Sequence, residues 1–98
     1  MSAGQLEEAI HRLDGAGASV RCRELAGLLE GLGFTVRDGK NGGHKVFVHA
    51  GLADFRSGSY NCDHGRDPEI KRPYIKNVLR ILRQYEAELS RYLENEDD

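Results

Sequence analysis

The chain has 98 residues, 39% of them hydrophobic and 31% charged, and a formal net charge of −2. This length allows one domain with a modest two-layer core, and it excludes a cofactor domain joined to a separate substrate domain. No apolar run approaches membrane-spanning length and the N-terminal residues do not resemble a signal peptide, so we expect a soluble cytoplasmic protein that does not contact membranes.

Two helices are predicted in the first third of the chain. Residues 5–13 have one apolar face, formed by Leu6, Ala9, Ile10 and Leu13. Ser19 is suited to cap a second helix that runs to Leu32, with a buried stripe of Val20, Leu25, Leu28, Leu29 and Leu32. Gly33 follows, and glycine fits the left-handed backbone position that ends a helix.

Three strands are predicted next. Phe34 to Asp38 and His44 to His49 are expected to pair antiparallel, since the turn between them, residues 39–43, is rich in glycine. Ser57 to Cys62 forms a weaker third strand.

Alternation along the second strand separates its side chains into two sets. His44, Val46 and Val48 lie on one face, and Lys45 and Phe47 lie on the other. Because Phe47 is the better core residue, we expect it to face the helices and His44 to lie on the open face. Two valines exposed on that face would suit a partner protein that covers them.

The last element is predicted to be one long helix that begins at Pro73. Its apolar positions are Ile75, Val78, Leu79, Leu82, Tyr85, Leu89 and Leu93. Residues 71–83 carry five positive charges and no negative one, whereas residues 86–98 hold six acids and one arginine. The basic block indicates phosphate binding or an acidic partner, or else a solvated helix face balanced by the acidic tail. The last residues, 94–98, are expected to fray.

This order predicts an α+β fold, with a three-stranded antiparallel sheet and helices gathered on one face. We expect a single domain over residues 1–98. It comprises an N-terminal helical extension (1–17), a core (18–85) and an acidic end (86–98).

The two cysteines, Cys22 and Cys62, are forty positions apart and neither lies in a C-x-x-C pair. This spacing fits neither a zinc knuckle nor a disulfide scaffold, so we expect reduced thiols. Cys62, Asp63 and His64 are adjacent and cannot supply tetrahedral zinc ligands by themselves. No metal or other cofactor is expected.

Three segments resemble the HicA-type toxins, small mRNA interferases of bacterial toxin–antitoxin pairs. They are Leu28 to Val36, Gly42 to Phe47, and Pro73 to Leu79, and together they span roughly residues 20–85. The family motif has glycine, then serine or threonine, then the catalytic histidine. It matches Gly42 and His44, and this chain departs from it at Gly43.

The resemblance implies a fold similar to double-stranded RNA-binding domains, with a helix, three antiparallel strands and a helix. It also implies a metal-independent endoribonuclease that cleaves mRNA and is inhibited by a HicB-like antitoxin protein. His44 matches the catalytic position, and histidine exchanges protons near neutral pH. The basic and turn residues expected to bind RNA are Lys40, Gly42, Gly43, Lys45, Lys76, Arg80 and Arg83.

Other interpretations stay open. His49, His64 and His11 are alternative proton carriers, and Tyr60 could stack on a base or pack against a neighbouring strand. The turn alone is also a complete explanation of the glycines at 42 and 43. The whole domain could also be a non-catalytic RNA-binding module or a protein-interaction module of the same fold.

Overall fold

A computed structural model of the chain describes residues 3–15 and 20–96. The elements in chain order are α1 (Ala3–Gly15), α2 (Cys22–Gly31), β1 (Thr35–Asp38), β2 (His44–Val48), β3 (Gly58–Asn61), α3 (Arg72–Gln84) and α4 (Glu86–Glu96). The strands form one antiparallel sheet in the order β1-β2-β3. The predicted α+β class, with three antiparallel strands between helices, is confirmed.

The N-terminal helix α1 belongs to the core. Leu6, Ala9 and Leu13 are each no more than 2% exposed, as their spacing predicts, and α1 packs against α3 and α4. The guanidinium of Arg12 donates to both carboxylate oxygens of Glu24 at 2.6 and 2.9 Å, which ties α1 to α2. The segment expected to be an extension is therefore integral to the fold.

Helix α2 begins later than predicted and ends where predicted. Its N-cap is Arg21, without a side-chain cap, and Ser19 lies outside the described residues. Val20 is fully buried but precedes the helix, where its carbonyl accepts a hydrogen bond from the Ile70 backbone N–H. The other predicted stripe residues of α2 are buried except Leu28, which is half-buried.

Gly33 ends α2 in the left-handed conformation, with φ +95. Its N–H donates to the Glu30 carbonyl, and the Phe34 N–H donates to the Leu29 carbonyl, both at 3.0 Å. These two bonds are the Schellman pattern, in which the last helical carbonyls are satisfied by the residues after the helix. Gly33 thereby turns the chain into β1.

The register of the sheet places one face toward the helices. Phe47 is fully buried and Tyr60 is 1% exposed, whereas Thr35 and Arg37 are exposed on the other face. This confirms that Phe47 faces the core. Tyr60 packs 6.1 Å from the Phe47 ring, so packing, and not base stacking, is the role of its ring.

The prediction of one continuous C-terminal helix is wrong, because the helix is interrupted at Tyr85. The Tyr85 backbone has φ −103 and ψ 17, its ring lies 5.4 Å from Phe55, and its hydroxyl donates to the Asp54 carbonyl at 3.4 Å. These contacts hold Tyr85 against the loop before β3. The second part, α4, buries Leu89 and Leu93 and packs against α1 and α3.

The expectation of a frayed end is also wrong as far as Glu96, because α4 is helical to that residue. Residues 97–98 lie outside the described part of the chain. No helix within the described ranges combines the length and the apolar character that crossing a bilayer requires.

The side chain of Tyr60 carries its polar hydroxyl into the hydrophobic core. Its hydroxyl has no hydrogen-bond partner among the described residues. Burial raises the pKa of Tyr60 to about 12, and the negative charge of Glu30 adds to the effect. The folded chain therefore keeps the phenol proton at a pH where an unfolded chain releases it.

We expect Tyr60→Phe to unfold no more easily than the wild type at pH 7, since the unpartnered hydroxyl contributes no hydrogen bond. Between about pH 10 and pH 12 the unfolded tyrosine loses its proton and the folded one does not, so this residue's contribution to stability falls as pH rises. The full fall amounts to roughly 2–3 kcal/mol, of which about half is reached at pH 11, and Tyr60→Phe should remove it. Urea unfolding at pH 7 and pH 11 measures both effects. A variant that is less stable than the wild type at both pH values contradicts this role for the hydroxyl.

Candidate functional site

The turn between β1 and β2 fixes the start of the strand that carries His44. The Gly39 N–H donates to the His44 carbonyl at 2.8 Å, and the His44 N–H donates to the Asn41 carbonyl at 3.1 Å. Lys40 and Gly42 are exposed at the tip of the turn. The first residue of β2 is therefore held by backbone bonds on both its N–H and its carbonyl.

Gly43 has a structural reason to be glycine. Its φ is +84, and a Cβ placed there would lie 2.6 Å from the backbone carbonyl oxygen of Cys62. The Gly43 carbonyl in turn accepts a hydrogen bond from the Cys62 N–H at 2.7 Å. Since both partners are backbone, neither can move aside cheaply. A serine or threonine at this position, as in the HicA motif, would meet the same backbone.

Gly43→Ser is accordingly expected to destabilise the fold by about 1–3 kcal/mol, the usual cost of a side chain in a left-handed conformation. Gly42→Ser is the matched control, because a Cβ at Gly42 meets nothing within 4 Å. Thermal unfolding of the two variants measures the difference. Equal midpoints would mean that the turn adapts to a side chain at position 43.

His44 lies at the junction of the turn and the sheet, and its ring is bonded across to β3. Its Nδ1 is 2.7 Å from Oδ1 of Asn61, the residue opposite it in the β2–β3 register. The Asn61 side-chain amide donates to the hydroxyl of Tyr74, in the first turn of α3, at 2.8 Å. An amide oxygen only accepts hydrogen bonds, so in the neutral ring this contact puts the proton on Nδ1 and leaves a free lone pair on Nε2.

The other side of the His44 ring lies against Gly39. A Cβ built on Gly39 would overlap the Cδ2 atom of that ring and would lie 3.0 Å from Cγ. The imidazole is therefore confined between Gly39, just after β1, and Asn61 in β3. His44 remains partly exposed in this position.

Gly39→Ala is expected to displace the His44 ring, because the new methyl group needs the space that the ring occupies. Gly42→Ala is the matched control, because a Cβ at that position meets nothing within 4 Å. The NMR resonances of the His44 ring should shift in Gly39→Ala and stay at their wild-type positions in Gly42→Ala. Unchanged ring resonances in Gly39→Ala would show that the turn adapts and the ring keeps its place.

The face of the sheet around His44 is mixed in polarity. Thr35 and Arg37 of β1 are exposed, and Val46 and Val48 of β2 are half-buried. As predicted, His44 and the two valines share this face while Phe47 lies on the other. The face offers an accessible imidazole beside apolar side chains.

Lys45 lies on the opposite side of the hairpin from His44. Its ammonium group forms an ion pair with Asp38 across the β1–β2 register. Lys45 lines a shallow depression with Gly42, Gly43 and His64. Lys40 and Lys45 thus flank the turn, as expected, but Lys45 and the His44 ring project to different faces.

The three basic residues of α3 form a second, separate surface. Lys76, Arg80 and Arg83 lie between about 120° and 180° round the helix from Tyr74, which contacts the His44 site. They line an open groove together with Leu79 of the same helix and Asp14 of α1. Arg83 is 3.5 Å from the Asp14 carboxylate. The structure does not bring this group to His44, so the expected continuous groove is not formed by these side chains.

The other histidines differ in what their rings can do. His49 is 5% exposed, its Nδ1 accepts a hydrogen bond from the Gly51 N–H, and its Nε2 donates to the Leu32 carbonyl, both at 3.0 Å. With both nitrogens occupied, His49 is a structural residue of the core. His64 and His11 are exposed, and His64 lies beside the turn.

The expectation of two reduced thiols is wrong, because Cys22 and Cys62 form a disulfide with a Cα–Cα distance of 5.6 Å. Two isolated antiparallel β-bridges, which the sequence did not indicate, bring the cysteines together. Arg21 pairs with Glu69 and Cys62 pairs with Ile70, so the start of α2 and the end of β3 both lie beside the segment 69–70. Because the Cys62 sulfur is bonded to Cys22, the sequence Cys62–Asp63–His64 does not offer a thiolate ligand.

Sequence reasoning missed Asn61 and Tyr74. Asn61 ends the third strand and Tyr74 begins α3, and neither position forms a motif with His44 along the chain. Pairing His44 with Asn61 requires the β2–β3 register, which depends on a loop of nine residues between the strands.

Comparison of the chain with protein-family models, with curated proteins and with solved structures found no match. The likeness to HicA-type toxins therefore depends on the three segments of sequence quoted above.

Proposed function

We propose that this protein is the toxin of a toxin–antitoxin pair, a HicA-like endoribonuclease that cleaves mRNA in the cytoplasm without a metal. The observation that carries the proposal is the environment of His44. Its ring is partly exposed on an open sheet face, confined by Gly39 and hydrogen-bonded by Asn61. A surface histidine without a role needs no such confinement.

The chemistry follows from the free Nε2 atom. A base that removes the ribose 2′-OH proton allows O2′ to attack the adjacent phosphorus, and one positioned group of this kind typically contributes about 10²–10⁴-fold. Lys40 and the backbone of Gly42 and Gly43 are the groups proposed to bind phosphate beside it. Lys45 is proposed to approach phosphate from the far side of the turn.

A HicB-like antitoxin is the proposed partner. Such a protein could inhibit cleavage by covering the His44 face, where Val46 and Val48 supply apolar contact area. Because disulfides persist mainly in oxidising compartments, the Cys22–Cys62 bond runs against a cytoplasmic location. The proposed substrate, mRNA, is nevertheless cytoplasmic, and the proposed site of action follows from it.

The second candidate is a non-catalytic RNA-binding module. The position of Lys76, Arg80 and Arg83 favours it, since these residues form a basic groove without His44. Such a surface would bind phosphates without any need for an imidazole. In this case binding would fall steeply with salt and no RNA would be cut.

Induced expression in a bacterial host separates the two candidates. A nuclease is expected to arrest growth and to shorten cellular mRNA within minutes of induction, and His44→Ala is expected to restore both. Lys76→Ala/Arg80→Ala tests the basic groove in the same assay. If the wild type binds RNA yet neither arrests growth nor cuts mRNA, the binding module is the correct function.

A further inference from the structure

The contact between His44 and β3 defines which nitrogen of the ring can react. Asn61 accepts from Nδ1 of His44 at 2.7 Å and donates to the Tyr74 hydroxyl at 2.8 Å. In this arrangement the amide nitrogen faces the Tyr74 hydroxyl and the amide oxygen faces the ring. With its NH₂ group on Tyr74, Asn61 can offer His44 only an oxygen.

We propose that Asn61 is a positioning residue that holds His44 as the Nδ1–H tautomer, and that Tyr74 holds the Asn61 side chain in place. This inference deepens the proposed ribonuclease function and rests on it for its catalytic consequence. It assigns Nε2 as the atom that takes the proton. A histidine's reactive nitrogen is commonly set in this way by the bond that its other nitrogen makes.

In the proposed cleavage step, His44 takes one proton and water supplies another. The ribose O2′ bonds to phosphorus while its proton passes to Nε2 of His44, and the bond between phosphorus and O5′ breaks. The leaving O5′ takes a proton from water. The products are a 2′,3′-cyclic phosphate and a 5′-hydroxyl, and the imidazolium then returns its proton to solvent.

The packing around the ring supports a positioning role for Asn61. The ring is confined by Gly39 on the β1 side, so rotation away from Asn61 would bring it against that backbone. Asn61 itself is exposed, and its side chain has no part in the buried core. Its removal is therefore expected to change the state of His44 more than the stability of the fold.

The experiment is nitrogen NMR of the full chain, which reports which ring nitrogen of His44 carries the proton, combined with cleavage rates across pH. The wild type is expected to show protonated Nδ1 and bare Nε2. Asn61→Ala should lose this preference and slow cleavage by roughly 10–100-fold, the loss typical when the partner that orients a functional histidine is removed. Ser59→Ala, on the same face of β3, is the matched control and should change neither.

Asn61→Asp keeps an oxygen acceptor and is the conservative variant. It should retain the Nδ1–H tautomer, and its carboxylate should stabilise the protonated ring, so the acid limb of the pH–rate profile should move to higher pH. Tyr74→Phe should weaken the tautomer preference less than Asn61→Ala does. A merely structural role for Asn61 would leave the tautomer and the pH profile unchanged.

A neutral His44 ring with its proton on Nε2 in the wild type, or an unaltered tautomer in Asn61→Ala, would overturn the proposal. These NMR outcomes do not depend on activity. If the wild type cuts no RNA while the tautomer is as expected, the proposed function fails and the positioning of His44 by Asn61 stands.

Discussion

Replacement of both Cys22 and Cys62 by serine is expected to lower the free energy of unfolding by about 4 kcal/mol. The two residues are separated by 40 positions, and closing a loop of that size removes about this much conformational entropy from the unfolded chain. The bond also joins the N-terminus of α2 to the end of β3, next to the turn that carries His44. Urea unfolding with and without a thiol reductant measures the effect.

The reduced wild type should match the double serine variant, and adding reductant to that variant should change nothing. Cys22→Ser alone should lose as much stability as the double variant, since either change removes the same bond. If the wild type without reductant unfolds at the same urea concentration as the variants, the disulfide does not stabilise this fold.

His44→Ala is expected to lower the rate of RNA cleavage by about 10²–10⁴-fold, the usual contribution of one positioned acid or base. The ring is partly exposed, so its removal should leave the fold intact. Single-turnover cleavage of a structured mRNA fragment gives the rate, and far-ultraviolet circular dichroism checks the fold.

His64→Ala is the matched control, because His64 is an exposed histidine near the same turn. It should cleave at close to the wild-type rate. A folded His44→Ala variant that keeps more than about a tenth of the wild-type rate would assign the chemistry to another residue.

The features that could be predicted from the sequence are those set by neighbours along the chain. The apolar spacing of α1 identified Leu6, Ala9 and Leu13 as core residues, and Gly33 marked the end of α2. Alternation in β2 assigned Phe47 to the core and His44 to the open face. Each of these follows from helix or strand period and from the conformational freedom of glycine.

The features that could not be predicted depend on residues far apart in the sequence. The Cys22–Cys62 bond requires the position of the end of β3 relative to the start of α2, and the His44–Asn61 contact requires the position of β3 relative to β2. No local pattern encodes either one. The interruption of the last helix at Tyr85 could not be predicted for a different reason. The apolar stripe continues at helical spacing from Leu82 to Leu89, so only the contacts of Tyr85 with Asp54 and Phe55 reveal the interruption.

The glycine at position 43 shows how structure changes the meaning of a motif. In the sequence it is a departure from the HicA pattern at the residue before the histidine. In the fold it is the position where the turn meets the Cys62 carbonyl, with no room for a side chain. Gly43→Ser would restore the hydroxyl of the motif but would also change the stability of the fold, so Gly39→Ala reports on His44 more directly.

The most direct test of the central claim is cleavage of a short RNA by the purified chain in excess EDTA, with analysis of the product ends. We expect cleavage that leaves a 2′,3′-cyclic phosphate and a 5′-hydroxyl, and none when the ribose at the cleavage position is replaced by 2′-deoxyribose. Cleavage that requires a divalent metal, leaves a 5′-phosphate or cuts the deoxy substrate equally well would contradict a His44-dependent attack by the ribose 2′-oxygen.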